Sequence, residues 1–440
     1  MNKFLTNIKS INYTLYLNHL LVMYAFLLPV SSRGRSTIFF IMILLFILRG
    51  NYFHHLKLSF QNKIVQACLL FLLVHFIWLI GTDNFHNAKS VIDDMRYLIF
   101  PLLFLSFLDK RFGFRIIVAF IIGILFSEMI SYLIYFKVIP YKFYLASIEI
   151  YKAPGVNDPT PFLDHSRYSV LLSIAIGIFL YSLLNFNLSL KLKFFSIVLI
   201  VITSINIIVN AGRIGYISLL VLLIFVIFLK YKFSLKVLSI FSTTIILFFI
   251  LSFNFSNTFK NRIEYSVNSL KILDDDPSNY ETSFGLRYGF WNYSLSVIKE
   301  NPILGVGTGD YLDEVRNKLD EKHEYLRTLS HAHNEYVKTF LQFGLLGFFV
   351  YLNIYYQIFR YKYDNIHKRN ILFIVTIGIL VATMTSILGS KIYLPLLSVF
   401  IVISTSKYES LEIKYEKINL RSFLTYFIFI LLFLVIALLQ

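Results

Sequence analysis

Long apolar stretches separated by short polar segments dominate this sequence of 440 residues. Several of them reach the roughly 18 to 20 residues that a helix needs to cross a bilayer. The pattern predicts thirteen membrane spans, at residues 13–30, 36–48, 64–80, 97–108, 116–136, 168–186, 194–210, 216–229, 237–255, 337–359, 371–388, 394–406 and 423–439. The second, fourth and twelfth are short, so we expect them to be tilted or partly buried.

The residue composition is typical of a helical membrane protein. Hydrophobic residues make up 57% of the chain and aromatic residues 18%, whereas only 15% are charged. Only helices and closed barrels satisfy every backbone polar group in lipid, and the sequence lacks the alternating pattern of a barrel. We therefore predict an all-α polytopic membrane protein with about 12 or 13 transmembrane helices and one large extracytoplasmic loop.

The distribution of positive charge predicts the orientation of the chain. With the N-terminus in the cytoplasm, the seven cytoplasmic segments carry 21 Lys and Arg residues, and the five short outer loops carry 10. This asymmetry follows the positive-inside rule. The net charge of +16 then belongs mainly to the cytoplasmic face and indicates no nucleic-acid partner. The single cysteine, Cys68, lies in an apolar segment and excludes a disulfide framework. No cleavage site follows the first apolar run, which we expect to be a retained span.

One long hydrophilic segment divides the chain. We predict an N-terminal transmembrane region of about nine helices (1–255), a large outer loop that holds catalytic elements (256–336) and a C-terminal transmembrane region (337–440). The loop carries nine Lys or Arg and thirteen Asp or Glu residues, so it is mildly acidic. A loop this long is usually functional or forms a small subdomain. The apolar spacing over 290–299 predicts a helix within it, ended by Asn301-Pro302.

A polar hexapeptide, Ser330-His331-Ala332-His333-Asn334-Glu335, lies where this loop passes into the tenth span. Ionisable groups at membrane depth are costly and suggest a functional site. The alternative is that these groups only solvate and cap a helix end, as Asn334 could. Two imidazoles, an amide and a carboxylate together favour function.

Two arginines are candidates for holding an anion on the outer side. Arg213 lies in a minimal turn, Asn210-Ala211-Gly212-Arg213-Ile214-Gly215, between two apolar spans, and a planar guanidinium suits a pair of phosphate oxygens. Its alternative role is snorkelling to lipid phosphates. Arg287 lies just before the predicted loop helix, and its alternative is stacking on Trp291 or Tyr288. Together with His333, the two arginines form a plausible phosphate clamp with a base.

Three other patterns are weaker. The run Gly305-Val306-Gly307-Thr308-Gly309 resembles a phosphate loop, but no strand precedes it, so a backbone turn is favoured. The run Asp274-Asp275-Asp276 has the Asp-x-Asp spacing of nucleotide-sugar enzymes, and a solvated turn is the stronger interpretation on the outer side. No convincing metal ligand set is present in the sequence, since His331 and His333 would diverge on a helix.

Four sequence motifs carry a resemblance to a known family. They are Gly285-Leu286-Arg287-Tyr288-x-x-Trp291, Ile298-Lys299-Glu300-Asn301-Pro302-Ile303-Leu304-Gly305-Val306-Gly307, His331-Ala332-His333-Asn334-Glu335-Tyr336 and Phe343-Gly344-Leu345-Leu346-Gly347. With the Arg213 turn upstream, they resemble the O-antigen ligase / O-antigen polymerase superfamily. The resemblance is strong from about residue 210 to residue 355. Elsewhere it rests on hydropathy and the large outer loop.

The resemblance implies a membrane-embedded glycosyltransferase that is inverting, independent of metal and without a cofactor. Its donor would be a glycan on undecaprenyl pyrophosphate, and its active site would face the periplasm from the bacterial inner membrane. Arg213 and Arg287 would hold the donor pyrophosphate, and His333 would be the essential histidine. His331, Asn334 and Glu335 are further candidates for substrate binding.

The acceptor distinguishes the possible functions. We favour a ligase that transfers the glycan to lipid A–core, a phosphorylated acceptor for which Arg167 and Lys391 are candidate ligands on the outer side, with helix anchoring as their alternative role. The alternatives are a polysaccharide polymerase and transfer of an oligosaccharide to protein. A transporter is disfavoured, because Glu128 is among the few ionisable groups inside a predicted span and the charged cluster lies outside the membrane.

Overall fold

The computed structural model of the protein describes residues 12–145, 148–232, 234–411 and 413. Within this part of the chain the α-helices are α1 (Tyr13–Leu27), α2 (Ser32–Arg49), α3 (Tyr52–Phe60), α4 (Lys63–Ile77), α5 (Phe85–Met95), α6 (Phe100–Leu105), α7 (Gly113–Tyr135), α8 (His165–Asn185), α9 (Leu190–Val209), α10 (Arg213–Tyr231), α11 (Leu235–Phe255), α12 (Asn257–Asp275), α13 (Ser283–Glu300), α14 (Tyr311–Asn317), α15 (Glu335–Arg360), α16 (Ile366–Ala382) and α17 (Tyr393–Thr405). Short 3₁₀ helices occupy Arg96–Ile99, Lys110–Phe112 and Glu321–Thr328.

The prediction of an all-α polytopic membrane protein is confirmed. The predicted span 423–439 lies outside the described residues, and the other twelve all fall on helical segments. Among the described residues, five helical segments are long and apolar enough to cross a membrane, or six if the bent pair α2 and α3 forms one broken span. The five are Lys110–Tyr135, His165–Asn185, Leu190–Val209, Arg213–Tyr231 and Glu335–Arg360.

Three further apolar helices in the described part of the chain are too short for a straight crossing. Helices α1, α4 and α17 have between 13 and 15 residues. Every residue of α17 is buried. The predicted span 97–108 is divided between a 3₁₀ helix and α6, with Tyr97, Phe100 and Phe104 buried. A segment covered by protein needs no span-length helix, since neighbouring helices satisfy its surface.

A small antiparallel hairpin was not predicted from the sequence. Strand β1 (Lys142–Leu145) pairs with β2 (Ile148–Lys152). Lys142 lies opposite Lys152, and the register shifts between Phe143 and Tyr144.

The segment that is predicted to be the large outer loop, residues 256–336, forms a helical unit, the outer unit, which packs on the membrane helices. Helices α12, α13 and α14 lie within it. A buried cluster in this unit includes Phe290, Val297, Tyr311 and Val315 together with Leu341 of α15. The unit is therefore packed directly onto the helix that follows the hexapeptide, which fixes its position relative to the membrane region.

A break at Gly344 bends α15 and receives the glycine-containing loop. Gly344 has φ +57° and ψ −158°. The backbone N–H groups of Val306 and Gly307 donate to the carbonyls of Leu341 and Gln342, at 2.9 Å each, and the N–H of Leu345 donates to Pro302 at 2.9 Å. The amides that might have held an anion are thus occupied by carbonyls, and the backbone-turn interpretation of this loop agrees with these contacts.

Replacing Gly344 with alanine is expected to lower the free energy of unfolding by more than about 2 kcal/mol, because alanine disfavours the left-handed backbone. Its Cβ would also lie 2.3 Å from the carbonyl carbon of Ile303. Thermal unfolding of the purified protein in detergent measures the effect. Gly155→Ala is the matched control, since no atom lies within 4 Å of its Cβ position. Equal melting temperatures for the two variants would contradict the structural role of the break.

Candidate functional site

The two histidines lie in an extended loop just before α15. Asn334 is the N-cap of that helix, and its side-chain oxygen accepts hydrogen bonds from the N–H groups of Tyr336 (2.9 Å) and Val337 (3.2 Å). The indole N–H of Trp291 on α13 donates to the carbonyl of Ala332 at 2.8 Å. The loop is therefore fixed from both sides, by the helix that follows and by the outer unit.

His333 has an unusual backbone conformation for a residue with a side chain. Its φ is +49°, in the left-handed region. Such conformations cost free energy in non-glycine residues and are enriched at functional sites. Here the conformation turns the chain sharply, so that the two imidazole rings come together with a centroid distance of 3.9 Å.

The expectation that His331 and His333 diverge is wrong, because both precede the helix. The hydroxyl of Ser330 lies 3.0 Å from Nδ1 of His331 and can hold that ring. The sequence spacing alone could not reveal the ring contact, since it depends on the backbone turn at His333.

The environment keeps both imidazoles neutral at pH 7. Burial, then the charge of His331 and the charge of Arg287, lower the pKa of His333 to about 4. Burial also lowers the pKa of His331 to about 4, with contributions from Lys338, Arg167 and Arg287. A neutral imidazole can accept a proton, whereas a protonated one cannot.

The turn that contains Arg213 packs closely against the first residues of α8. A Cβ on Gly212 would lie 2.3 Å from the backbone oxygen of His165, so only glycine fits. The guanidinium of Arg213 donates to the hydroxyls of Ser266 and Ser283, at 3.2 Å each, and lies 5.6 Å from the Tyr265 ring centroid. Its contacts turn it toward the outer unit rather than toward lipid.

Arg287 lies inside α13, one turn after Ser283, and not before the helix as predicted. It is half-buried, and burial, then the charge of Arg213, lower the pKa of Arg287. Among the described residues it has no carboxylate or ring partner, and the Trp291 indole is engaged with Ala332. The predicted alternative of stacking on Trp291 or Tyr288 is therefore not supported. The guanidinium is available to a ligand.

Arg262 on α12 is a third cation at this site that the sequence did not single out. It is half-buried and close enough to Arg213 for the two charges to repel. Its position in an amphipathic helix gave no signal, because an exposed helical arginine has the same sequence context.

Glu335 has a structural set of contacts rather than a substrate-facing one. The residue is 1% exposed. Its carboxylate accepts a hydrogen bond from the N–H of Leu388 at 2.8 Å and lies 4.0 Å from the ammonium of Lys338. These contacts join the start of α15 to the segment that follows α16. A positioning role therefore fits Glu335 better than the predicted substrate contact. The N-cap hydrogen bonds of Asn334 likewise favour a positioning role for that residue.

Arg167 and Lys391 border one cavity that neither His331 nor His333 lines. Arg167 forms an ion pair with Asp164 at 3.0 Å, and its charge contributes to the lowered pKa of His331. Lys391 is exposed. The charges of Arg287 and of Arg167 therefore both act on His331. Among the described residues, no three His, Cys, Asp or Glu side chains are grouped as a metal site would require.

Comparison with known families identifies the region that contains the arginines and histidines. Residues 198–352 match the family model described as O-Antigen ligase. The match supports membership of the O-antigen ligase family. The matched region includes Arg213, Arg287, His331 and His333, whereas Arg167 and Lys391 lie outside it.

A curated relative extends the similarity without adding a function. An uncharacterized protein of Haemophilus influenzae is 28% identical to this chain over 231 residues. The aligned region is 50% of this chain and 56% of the relative. The chain therefore spans only about half the length of that relative.

Proposed function

We propose that the protein is an O-antigen ligase that transfers a glycan from undecaprenyl pyrophosphate to lipid A–core at the periplasmic face of the inner membrane. The observation that carries this proposal is the site itself. Two arginines without a carboxylate partner among the described residues are close enough for their charges to repel, and the charge of one of them, Arg287, acts on a pair of neutral histidines. All four residues belong to the region that matches the family.

Arg213 and Arg287 bind the donor pyrophosphate in this proposal. Each guanidinium presents planar N–H donors that match phosphate oxygens. Neutral serine hydroxyls orient Arg213 without cancelling its charge. The positive charges of Arg213 and Arg287 repel each other, and an anion bound between the two guanidinium groups would relieve that repulsion. This repulsion contributes to the lowered pKa of Arg287.

His333 serves as the general base. It accepts the proton of the acceptor hydroxyl as the hydroxyl oxygen attacks the anomeric carbon, while the bond from that carbon to the pyrophosphate oxygen breaks. The pyrophosphate leaves with the bonding electron pair, and the arginines stabilise its developing charge. Attack opposite the leaving group inverts the anomeric centre. With arginines in this role the transfer needs no metal.

Donor binding also tunes the base. The positive charge of Arg287 is among the causes that lower the pKa of His333. A bound pyrophosphate offsets that charge and raises the pKa toward neutrality, where an imidazole is most effective as a base. The base therefore becomes stronger only when the donor is present.

The proposed orientation follows from the charge distribution in the sequence and from the chemistry of the donor. Arg213 begins a membrane-length helix, and Arg287 belongs to the outer unit packed on the membrane helices. A polyprenyl donor keeps its phosphates at head-group level and its tail in hydrocarbon. A site at this junction is accessible to both parts.

The lipopolysaccharide pattern of a deletion strain tests the ligase assignment. We expect bare lipid A–core, with glycan accumulating on undecaprenyl pyrophosphate, and complementation by the intact gene. Core that carries a single repeat would instead identify a polymerase, the second function that the family match supports. Unchanged lipopolysaccharide would exclude both and favour another acceptor, such as a protein.

A further inference from the structure

Two adjoining cavities lie apart from Arg213 and Arg287, on the Arg167 side of the histidines. Their volumes are about 590 Å³ and about 660 Å³. They share the walls formed by Ser32, Arg33, Arg35 and Lys391. Neither cavity is bordered by Arg213, Arg287 or either histidine of the hexapeptide.

The lining of this double cavity is strongly basic. The cations are Arg33, Arg35, Arg96, Lys152, Arg167 and Lys391, and the carboxylates are Glu149 and Asp164. Asp164 is paired with Arg167, and Glu149 accepts a hydrogen bond from Tyr144. Arg96 is paired with Asp93, whereas Arg33, Arg35 and Lys391 of the shared wall take part in no ion pair among the described residues.

Arg35 is a buried cation held in place by carbonyl groups. It is 5% exposed. Its guanidinium donates to the backbone oxygens of Ser31 (3.3 Å) and Lys391 (2.5 Å). A buried charge without a counter-ion is costly, so an anion in the cavity gains from an attraction that solvent screens only weakly. Arg33 and Arg35, which the apolar pattern predicts to lie in an outer loop, belong to the first turn of α2.

The two cavities differ in their other walls. The larger one is lined by the apolar or aromatic side chains of Tyr24, Phe39, Tyr97, Ile99 and Phe100. Ile99 and Phe40 on the same side are exposed large hydrophobic residues, as expected where a protein faces lipid. The smaller cavity extends to the β2 strand of the outer hairpin. The larger chamber thus suits an apolar group and the smaller chamber a polar group. The basic side chains lie in the wall that the two chambers share.

We propose that Arg33, Arg35 and Lys391 bind the phosphate group of a phosphorylated glycolipid whose apolar part occupies the larger chamber. A membrane amphiphile can contact the basic wall and the apolar wall at the same time, whereas free phosphate can contact only the basic wall. The proposal that a glycolipid binds in this cavity is independent of the proposed function. The statement that this glycolipid is also the acceptor rests on the proposed function. Arg167 borders the cavity, and its charge also acts on His331.

Binding of lipid A to the purified full-length protein in detergent tests this site, with native mass spectrometry as the measurement. The probes are phosphorylated lipid A, dephosphorylated lipid A and inorganic phosphate. We expect the phosphorylated lipid to bind at least tenfold more tightly than the dephosphorylated one, and 10 mM inorganic phosphate to leave it bound. Displacement by inorganic phosphate would overturn the lipid assignment in favour of a free anion.

The variant Arg33→Gln/Lys391→Gln removes two exposed cations and leaves the buried Arg35 in place, so folding is not at risk. We expect it to weaken binding of phosphorylated lipid A at least tenfold. The charge-matched control Lys89→Gln/Lys271→Gln, also exposed on the outer side, should bind as the wild type does. Arg213→Ala should also bind normally, because that residue belongs to the donor site. Wild-type affinity in the cavity variant would overturn the proposal, whereas loss of binding without loss of transfer would count only against the statement that this glycolipid is the acceptor.

Discussion

Replacing His333 with asparagine is expected to lower kcat for glycan transfer by about a thousandfold, as loss of a general base does. Asparagine tolerates the left-handed backbone that His333 adopts, so the loop keeps its shape. The side-chain amide cannot take up the acceptor proton. Transfer of a labelled glycan in vesicles that contain equal amounts of each protein measures the effect.

His331→Asn is the matched control, since it removes the neighbouring ring from the same loop. We expect it to cost no more than about tenfold, because His331 lowers the pKa of His333 but does not take the proton. If His331→Asn were the inactive variant and His333→Asn the active one, the roles assigned to the two rings would be reversed.

The pH dependence of the wild type provides a separate readout of the base. The free enzyme needs neutral His333, so kcat/KM should rise with pH through about 4 and be lost below it. Pyrophosphate offsets the charge of Arg287 and raises the pKa in the complex. The acid limb of kcat should therefore lie at higher pH than that of kcat/KM. Coincident limbs would contradict the coupling between donor and base.

Replacing Arg287 with alanine is expected to lower kcat/KM by about 100- to 1000-fold, the usual effect of removing one donor to a developing oxyanion. Burial without a carboxylate partner leaves this guanidinium for the ligand, so little stability should be lost. Arg287→Lys should recover only a small part of the activity, because an ammonium does not reproduce the planar pair of donors.

Arg327→Ala is the control for this experiment. Arg327 is an exposed arginine of the same outer unit, paired with Glu324. Its loss should leave transfer within about twofold of the wild type. Near-normal activity of Arg287→Ala, at a normal amount of protein in the membrane, would remove Arg287 from the donor site.

The helical membrane fold followed from the apolar pattern, but the shape of individual segments did not. Gly344 lies in an apolar run. Hydropathy does not distinguish a straight helix from one that is broken by a glycine with positive φ. The break depends on Pro302–Thr308, a segment about forty residues upstream that supplies the missing hydrogen-bond partners. Helix α17 has the composition of a span and is buried by protein instead.

The candidate site was predictable in its residue types and not in its geometry. The histidines and the two arginines stood out because charge at membrane depth is costly. Their relation to one another depends on the outer unit, where Trp291 holds the loop at Ala332. Arg35 gave no signal, because two arginines beside an apolar run are common at membrane edges and only packing against Lys391 buries one of them.

Transfer by the purified protein is the measurement that tests the central claim most directly. The protein is reconstituted in vesicles with an undecaprenyl-pyrophosphate-linked glycan and lipid A–core, in excess EDTA. The lipid A–core is analysed by mass spectrometry for the added glycan and by NMR for the anomeric configuration of the new bond. We predict that the glycan appears on the core with inverted anomeric configuration and that pyrophosphate-terminated lipid is released. No transfer by a folded wild-type protein that receives both substrates, or transfer that occurs only when EDTA is left out, would contradict the account.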